Sequence, residues 1–224
     1  MKAVQLTQTP PPVLRIRRLP ELALRAPIEL RQGEMLAVQI ASRVAREALV
    51  ARLSGDARVD AGEIMLLGGD LAASPHLPRP GVPPSVTFVP RDGGLFANLN
   101  AWENIWTPVT YHHPDAESDL PWRVHTLLDQ LGMDAPKVAA RRPAELSTLE
   151  RRLVGFVRAV ALAPELVVIE SLFEDLNAAE NKQAARVFDV FHRLLPFRSL
   201  LALGAHFPQE AEHPQLHTIR ISGK

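Results

Sequence analysis

The 224-residue sequence contains no cysteine, and this absence removes several kinds of chemistry at once. Disulfides, thiol nucleophiles and zinc–thiolate sites all require a cysteine sulfur, so none of them is available to this chain. Its 25 basic and 25 acidic side chains leave no net charge, so no overall field favours nucleic acid or an anionic membrane. We therefore expect no nucleic-acid partner.

Long hydrophobic runs are missing as well. The strongest runs, residues 166–169 and 200–205, have the length of buried strands, whereas a membrane-spanning helix needs about 20 apolar residues. The first twenty residues lack the apolar centre of a secretory signal. We accordingly expect a cytoplasmic chain with no segment that crosses a membrane.

Short apolar runs alternate with patterns of helical spacing along the chain. Runs typical of buried strands occupy residues 34–40, 86–89, 166–169 and 200–203, and apolar spacing predicts helices over 43–53 and 182–195. Strand followed by helix, repeated, favours an α/β fold with a mainly parallel sheet. Twenty prolines interrupt the chain, and their densest group, residues 74–84, predicts a surface loop.

The segment 98–156 differs from its surroundings. It is polar, holds all three tryptophans and shows helical apolar spacing that ends at Gly132, a plausible helix stop. We interpret it as a helical subdomain inserted into an α/β core made of residues 1–97 and 157–224. Residues 1–224 then form one domain, as expected for this length.

Three segments carry a family resemblance. From Gly33, the string GEMLAVQIASRVAREALVARLSGDARVDAGEIMLLGGDL resembles the opening of an ABC-transporter ATPase. Residues 86–105 are similar to that family's Q-loop segment, and residues 145–177 to its signature, the following helix and the Walker B strand. The resemblance covers the whole chain and implies a P-loop NTPase-like cassette with an antiparallel β edge. Residues 95–112 resemble bacterial lipid-trafficking cassettes slightly more than others.

The phosphate loop is where this resemblance fails. In the family it reads G-x-x-x-x-G-K-[ST], so that backbone N–H groups close around the phosphates, the Lys neutralises them and the hydroxyl holds Mg²⁺. Here Ile40 and Ala45 replace the glycines, Arg46 replaces the Lys and Glu47 replaces the hydroxyl. We favour an exposed helix charge as the role of Glu47. The degenerate equivalents of the nucleotide-binding residues are Ile40, Arg43, Ala45, Arg46, Glu47 and, in the signature, Ser147.

Two further contact segments of the family are altered. The signature core SGGQ becomes STLE at residues 147–150, which removes glycines whose backbone amides would face the γ-phosphate of a partner cassette. Ser147 alone remains as a candidate phosphate contact, and Asn177 stands at the position of the D-loop Asp. Pairing with an intact cassette would therefore leave both shared sites impaired.

The residues that would serve hydrolysis are replaced as well. Arg91 stands where the family has the Gln that reaches Mg²⁺ and the attacking water, and Arg has no acceptor atom for a metal. The Walker B acidic pair becomes Glu170 and Ser171, and a hydroxyl is a poor general base near neutral pH. His206 matches the switch His of the family, although we favour a hydrogen-bonded structural role for it.

The aromatic-rich segment after the Q-loop position suggests a protein interface. In the family this region receives a coupling helix from the membrane subunit, and it implies a permease interface at Leu95, Phe96, Trp102 and Trp106. The alternative is that these rings only pack the helical segment onto the core. His112, His113 and Asp115 lack the spacing of a metal site, so no metal is predicted.

Together these replacements predict a non-catalytic cassette subunit. It would dock on a transmembrane permease at the inner face of the cell membrane and pair with a second cassette as a homo- or heterodimer. Two alternatives stay open: a divergent but active ATPase that uses Arg46 and Glu170, and a free-standing binding protein on a degenerate cassette fold. We expect no cofactor, and ATP with Mg²⁺ only if the divergent ATPase is correct.

Overall fold

The structure, a computed structural model, describes residues 11–73, 84–113 and 119–221. Its strands are β1 (Leu14–Ile16), β2 (Ile28–Leu30), β3 (Met35–Ile40), β4 (Ile64–Leu66), β5 (Gly69–Asp70), β6 (Val86–Val89), β7 (Leu166–Glu170), β8 (Ser199–Gly204) and β9 (Leu216–Ile221). Its helices are α1 (Arg43–Ser54), α2 (Ala101–His112), α3 (Leu120–Gln130), α4 (Ala135–Ala140), α5 (Thr148–Ala161) and α6 (Ala178–Leu194). The predicted proline-rich loop lies almost wholly outside the described residues, as does Asp115.

A five-stranded parallel sheet forms the centre of the molecule, in the order β6-β7-β8-β3-β9. The four apolar runs found in the sequence become β3, β6, β7 and β8, and every residue of β7 and β8 is buried. Full burial of a parallel strand explains its continuous apolar character. The predicted mainly parallel α/β fold is confirmed.

An antiparallel sheet in the order β2-β1-β4-β5 covers one face of the parallel sheet. Its apolar side chains pack with those of α1 and with alternate residues of β7 and β8, such as Val168 and Leu203. The intervening residues, such as Val167 and Ala202, point to the opposite face, where α2, α5 and α6 pack. The parallel sheet therefore has a separate apolar core on each face.

Local signals explain where the helices begin and end. A capping box, in which the N-cap and third helical residues satisfy each other's backbone N–H groups, opens α2, α5 and α6. Gly132, with φ of 74°, follows α3, so the predicted stop is observed. No helix within the described residues combines the length and apolarity needed to span a bilayer. The division into a core and a helical subdomain stays a prediction.

Candidate functional site

Four loops that follow parallel strands meet at one edge of the central sheet. The loops after β3, β6, β7 and β8 all leave the carboxyl ends of their strands, where open α/β sheets bind ligands. Arg46, Arg91, Ser171 and Ala205 lie on or directly beside these four loops. The parallel topology thus brings together positions that lie far apart in the sequence.

Arg46 folds back over the loop that precedes α1. Its side chain is almost completely buried, and its Nη1 donates to the carbonyl oxygens of Ile40 at 2.6 Å and Ala41 at 3.1 Å. Its Nη2 donates to Glu174 Oε1 at 2.6 Å, which makes a salt bridge. The cation at the Lys position of the phosphate loop is therefore bound to groups of the protein itself.

Glu174 is the carboxylate on which several of these loops converge. Besides Arg46, its Oε1 accepts hydrogen bonds from the hydroxyl of Ser171 at 3.0 Å and the backbone N–H of Ala205 at 3.3 Å. Arg91 Nε lies 3.7 Å from the other oxygen, Oε2. Sequence reasoning missed Glu174, although an acidic side chain so soon after a fully buried strand was an available signal.

The loop that carries Glu174 is held in an unusual conformation. Ser171 and Asp175 have φ of 57° and 61°, a left-handed region that costs energy for side chains other than Gly. Between them, Leu172 and Phe173 are buried in the apolar core, and Ser171 N–H donates to the carbonyl of Leu203 at 2.7 Å. Such strain persists only where the surroundings determine it, so the position of Glu174 is built into the packing.

Arg152, a residue that the sequence did not single out, supports this loop from α5. Its side chain is 1% exposed, and it donates to the carbonyl oxygens of Arg91 at 2.7 Å, Leu172 at 3.2 Å and Glu174 at 2.6 Å. Burial lowers the pKa of Arg152, and the neighbouring Arg91 lowers it further. The buried guanidinium thus satisfies three carbonyl groups of the site at once.

Arg91 makes ion pairs and does not stand free. Its Nη2 donates to Asp175 Oδ2 at 2.5 Å, and this hydrogen bond holds the pKa of the Asp175 carboxyl below its ordinary value. The same contact raises the pKa of Arg91. The Arg at the Q-loop position therefore joins the loop after β6 to the loop after β7.

Two further carboxyl groups lie at the metal-binding positions of the family. Glu170 is 8% exposed, and burial raises its pKa, with a further rise from the nearby Glu47 that Arg46 partly offsets. Glu47 is exposed at the start of α1 and accepts a hydrogen bond from Arg43 Nε at 2.6 Å. The carboxylate at the hydroxyl position is thus engaged in an ion pair along its own helix.

The remaining predicted site residues have local structural contacts or none. Ser147 Oγ accepts from the backbone N–H of Glu150 at 3.1 Å, and Asn177 Oδ1 accepts from that of Glu180 at 3.0 Å, so both cap helices. Ala45 is buried on the side of α1 that packs into the hydrophobic core. His206 differs from our expectation, because it is exposed and no hydrogen bond of its side chain is found among the described residues.

The predicted interface residues differ in exposure. Phe96 is 64% exposed, whereas Leu95, Trp102 and Trp106 are half-buried against the helical core. The two indole rings lie 5.2 Å apart on one face of α2. Buried Asn104 holds the preceding turn by accepting from Phe96 N–H at 2.7 Å and donating to Phe96 O at 3.1 Å.

Within the described ranges, no group of three acidic or His side chains is placed to hold a metal.

Curated proteins similar to this chain are import ATP-binding proteins. A sulfate/thiosulfate import ATP-binding protein of Chromobacterium violaceum is 28% identical over 182 residues, which are 80% of this chain and 48% of that protein. An Fe(3+) ions import ATP-binding protein of Rhodococcus jostii is 30% identical over 155 residues, 69% of this chain and 42% of that protein. The chain spans about half the length of the curated relatives it matches. No protein-family model matches the sequence.

Solved structures with a similar fold are cassettes. A dimeric bacterial ABC-transporter cassette superposes with a TM-score of 0.70 at 14% identity, over 93% of this chain and 94% of that one. An ATP-binding cassette in a dimeric post-hydrolysis state, bound to ADP and Pi, gives 0.68 at 13% identity over 86% and 88%. The fold of the chain is thus that of an ABC cassette. With import ATP-binding proteins as its curated relatives and ABC cassettes as its structural neighbours, the chain is similar to the nucleotide-binding subunits of ABC transporters.

The expectation that the chain has no cofactor is wrong. Its curated homologues are ATP-binding proteins and a structural neighbour is bound to ADP and Pi, so ATP with Mg²⁺ is the cofactor that the family implies. In the described arrangement the residues do not fit a polyphosphate, because Arg46 is paired with Glu174 and a carboxylate replaces the Mg²⁺-binding hydroxyl. An anion that enters this loop meets Arg46, whose positive charge is already paired with the carboxylate of Glu174.

Proposed function

We propose that this chain is the cassette subunit of an ABC transporter, docks on a transmembrane permease at the cytoplasmic face of the membrane, and does not itself hydrolyse ATP. The relatives named above are subunits of importers for sulfate/thiosulfate and Fe(3+), which supports a role in transport. The dimeric state of two structural neighbours supports pairing with a second cassette.

The observation that carries this proposal is the replacement of the general base by Ser171. A water molecule that attacks a phosphate needs a positioned base, and a Ser hydroxyl has no usable basic form near neutral pH. The hydroxyl of Ser171 is also committed, because it donates to Glu174 at 3.0 Å. Of the two neighbouring carboxyl groups, Glu174 is paired with Arg46, and Glu170 has a raised pKa because of burial but lies at the position of a metal ligand.

The docking part of the proposal is supported by the surface near the β6 loop. Phe96 exposes a large apolar ring, and buried Asn104 fixes the turn that carries it. Exposed aromatic side chains on a rigid turn are suitable anchors for a partner protein. We place the permease contact at Leu95, Phe96, Trp102 and Trp106.

The hydrolysis part is tested with the full chain and Mg-ATP by continuous measurement of phosphate release. We expect the wild-type rate to equal that of a preparation carrying both Arg46→Ala and Glu170→Gln, because any remaining signal then comes from contaminating ATPases. A wild-type rate that exceeds background and disappears in the double variant would establish the active-ATPase alternative instead.

A further inference from the structure

We infer that Glu174 is an internal competitor for the anion site of the phosphate loop, so that a nucleotide binds only when the Arg46–Glu174 ion pair opens. The inference rests on the proposed function, because it describes how the ligand site of that cassette subunit is controlled. Arg46 is the cation that would meet an incoming phosphate, and Glu174 occupies it from within the chain.

The contact has the features of a strong internal ligand. The two side chains are 3% and 13% exposed, and a hydrogen bond between charged groups at 2.6 Å is about twice as strong as one between neutral groups. The Arg46 guanidinium still has an unused donor, because its Nε is buried and lacks a hydrogen-bond partner in the described part of the chain. A ligand oxygen could therefore use donors that Glu174 leaves unused or releases.

The balance of charge favours competition over simple addition. The basic side chains around the site are Arg43, Arg46, Arg91 and Arg152, and the acidic ones are Glu47, Glu170, Glu174 and Asp175. Because the two sets are equal in number, a polyphosphate that entered without any displacement would add uncompensated negative charge to a partly buried site. Removing the Glu174 carboxylate from Arg46 relieves that repulsion and frees the guanidinium.

Opening this pair would also release two loops together. Glu174 Oε1 holds the hydroxyl of Ser171 after β7 and the backbone N–H of Ala205 after β8. Ala205 directly precedes His206, the exposed residue at the switch position. Ligand entry at the phosphate loop would thus change the loops that follow β7 and β8 in a single step.

The experiment compares nucleotide affinity in the full-length wild type and Glu174→Gln by isothermal calorimetry with ADP and with Mg-ATP. Glutamine keeps an oxygen that accepts from Ser171 and Ala205 but has no charge to hold Arg46, so we expect affinity at least about tenfold tighter than wild type. Adding Arg46→Ala to Glu174→Gln should remove the gain. The matched control is Glu29→Gln, whose carboxylate pairs with Arg15 in the antiparallel sheet and should leave affinity unchanged.

Equal or weaker affinity in a folded Glu174→Gln protein overturns the inference, and so does the absence of binding by both proteins. If that variant does not fold, Glu174→Asp tests the ion pair by distance, because its carboxylate keeps the charge but is one methylene shorter, and it should also bind nucleotide more tightly than wild type. Phosphate release measured in the same samples separates the two proposals. Turnover by the wild type overturns the absence of hydrolysis alone, whereas unchanged affinity overturns the role of Glu174 alone.

Discussion

At the scale of single residues, Glu170 at the end of β7 and Asp175 in the following loop have pKa values that are shifted in opposite directions. Burial raises the pKa of Glu170 above its ordinary value of 4.5, whereas the hydrogen bond from Arg91 lowers the pKa of Asp175 below 3.8. A raised pKa means that the folded protein holds the proton more tightly than the unfolded chain does. Stability from Glu170 is therefore complete below pH 4.5 and is lost as pH rises through the raised pKa.

We predict that Glu170→Gln becomes increasingly stabilising, relative to wild type, as pH rises from 4.5 to neutral. The reason is that ionising a buried carboxyl beside Glu47 is unfavourable, and the amide removes that cost. Urea denaturation over this pH range measures the difference in unfolding free energy.

Asp175→Asn serves as the control of opposite sign. Its carboxylate contributes stability above pH 3.8 that is lost as pH falls through the lowered pKa, so the variant should be less stable than wild type at neutral pH and approach it in acid. The same slope for both variants would contradict this account of the two groups.

At the scale of elements, helix α5 touches the loop after β6 without room for a side chain. A Cβ atom on Gly155 would lie 2.3 Å from the backbone oxygen of Gly93. The contact is tight from the other side as well, because a Cβ atom on Gly93 would lie 2.3 Å from the backbone oxygen of Arg151 in α5. This close approach sets the position of the loop that carries Arg91 and Phe96.

We therefore predict that Gly155→Ala destabilises the protein. In an unobstructed helix the change would stabilise by about 0.5–1 kcal/mol, but overpacking a buried contact costs roughly 1–3 kcal/mol, and the clash involves backbone. Guanidinium denaturation gives the change in unfolding free energy. Gly69→Ala is the matched control, because its nearest neighbour would lie 3.7 Å away, and its effect should stay within about 0.5 kcal/mol. A stabilised Gly155→Ala protein would show that the contact is looser than the structure indicates.

At the scale of the whole molecule, substitutions of two exposed phenylalanines on different surfaces distinguish an effect on docking from an effect on folding. Phe96 is 64% exposed on the turn before α2, and Phe197 is 77% exposed after α6. Because both are exposed, replacing either with Ala should change the unfolding free energy by less than about 0.5 kcal/mol.

If a permease docks as proposed, only Phe96→Ala should weaken that association, by about 2 kcal/mol, which is typical of an interface anchor. The measurement is recovery of the transmembrane subunit when the tagged cassette is purified from detergent-solubilised membranes. Equal recovery with the Phe96→Ala and Phe197→Ala variants would place the permease on another surface.

Much of the cassette fold could be predicted from the sequence, for a local physical reason. The strands β3, β6, β7 and β8 are continuous apolar runs because their environment is apolar on both faces, and α1 shows its apolar stripe directly. Strands β1, β2, β4 and β5 were not located, because two or three residues carry no periodic signal. Among the described strands, β9 pairs only with β3, and its half-buried and exposed residues do not alternate regularly, so its sequence pattern is weak.

The sequence by itself determined which atoms the site has: an Arg in place of the Lys, a hydroxyl in place of the base, and no cysteine. These are matters of residue identity, and alignment with a family of known motifs is enough to read them. Only the tertiary structure decided what Arg46 does, because its partner lies 128 residues away in the chain. Parallel strands bring the two loops to one edge of the sheet, and the strained loop between Ser171 and Asp175 directs Glu174 to the buried guanidinium.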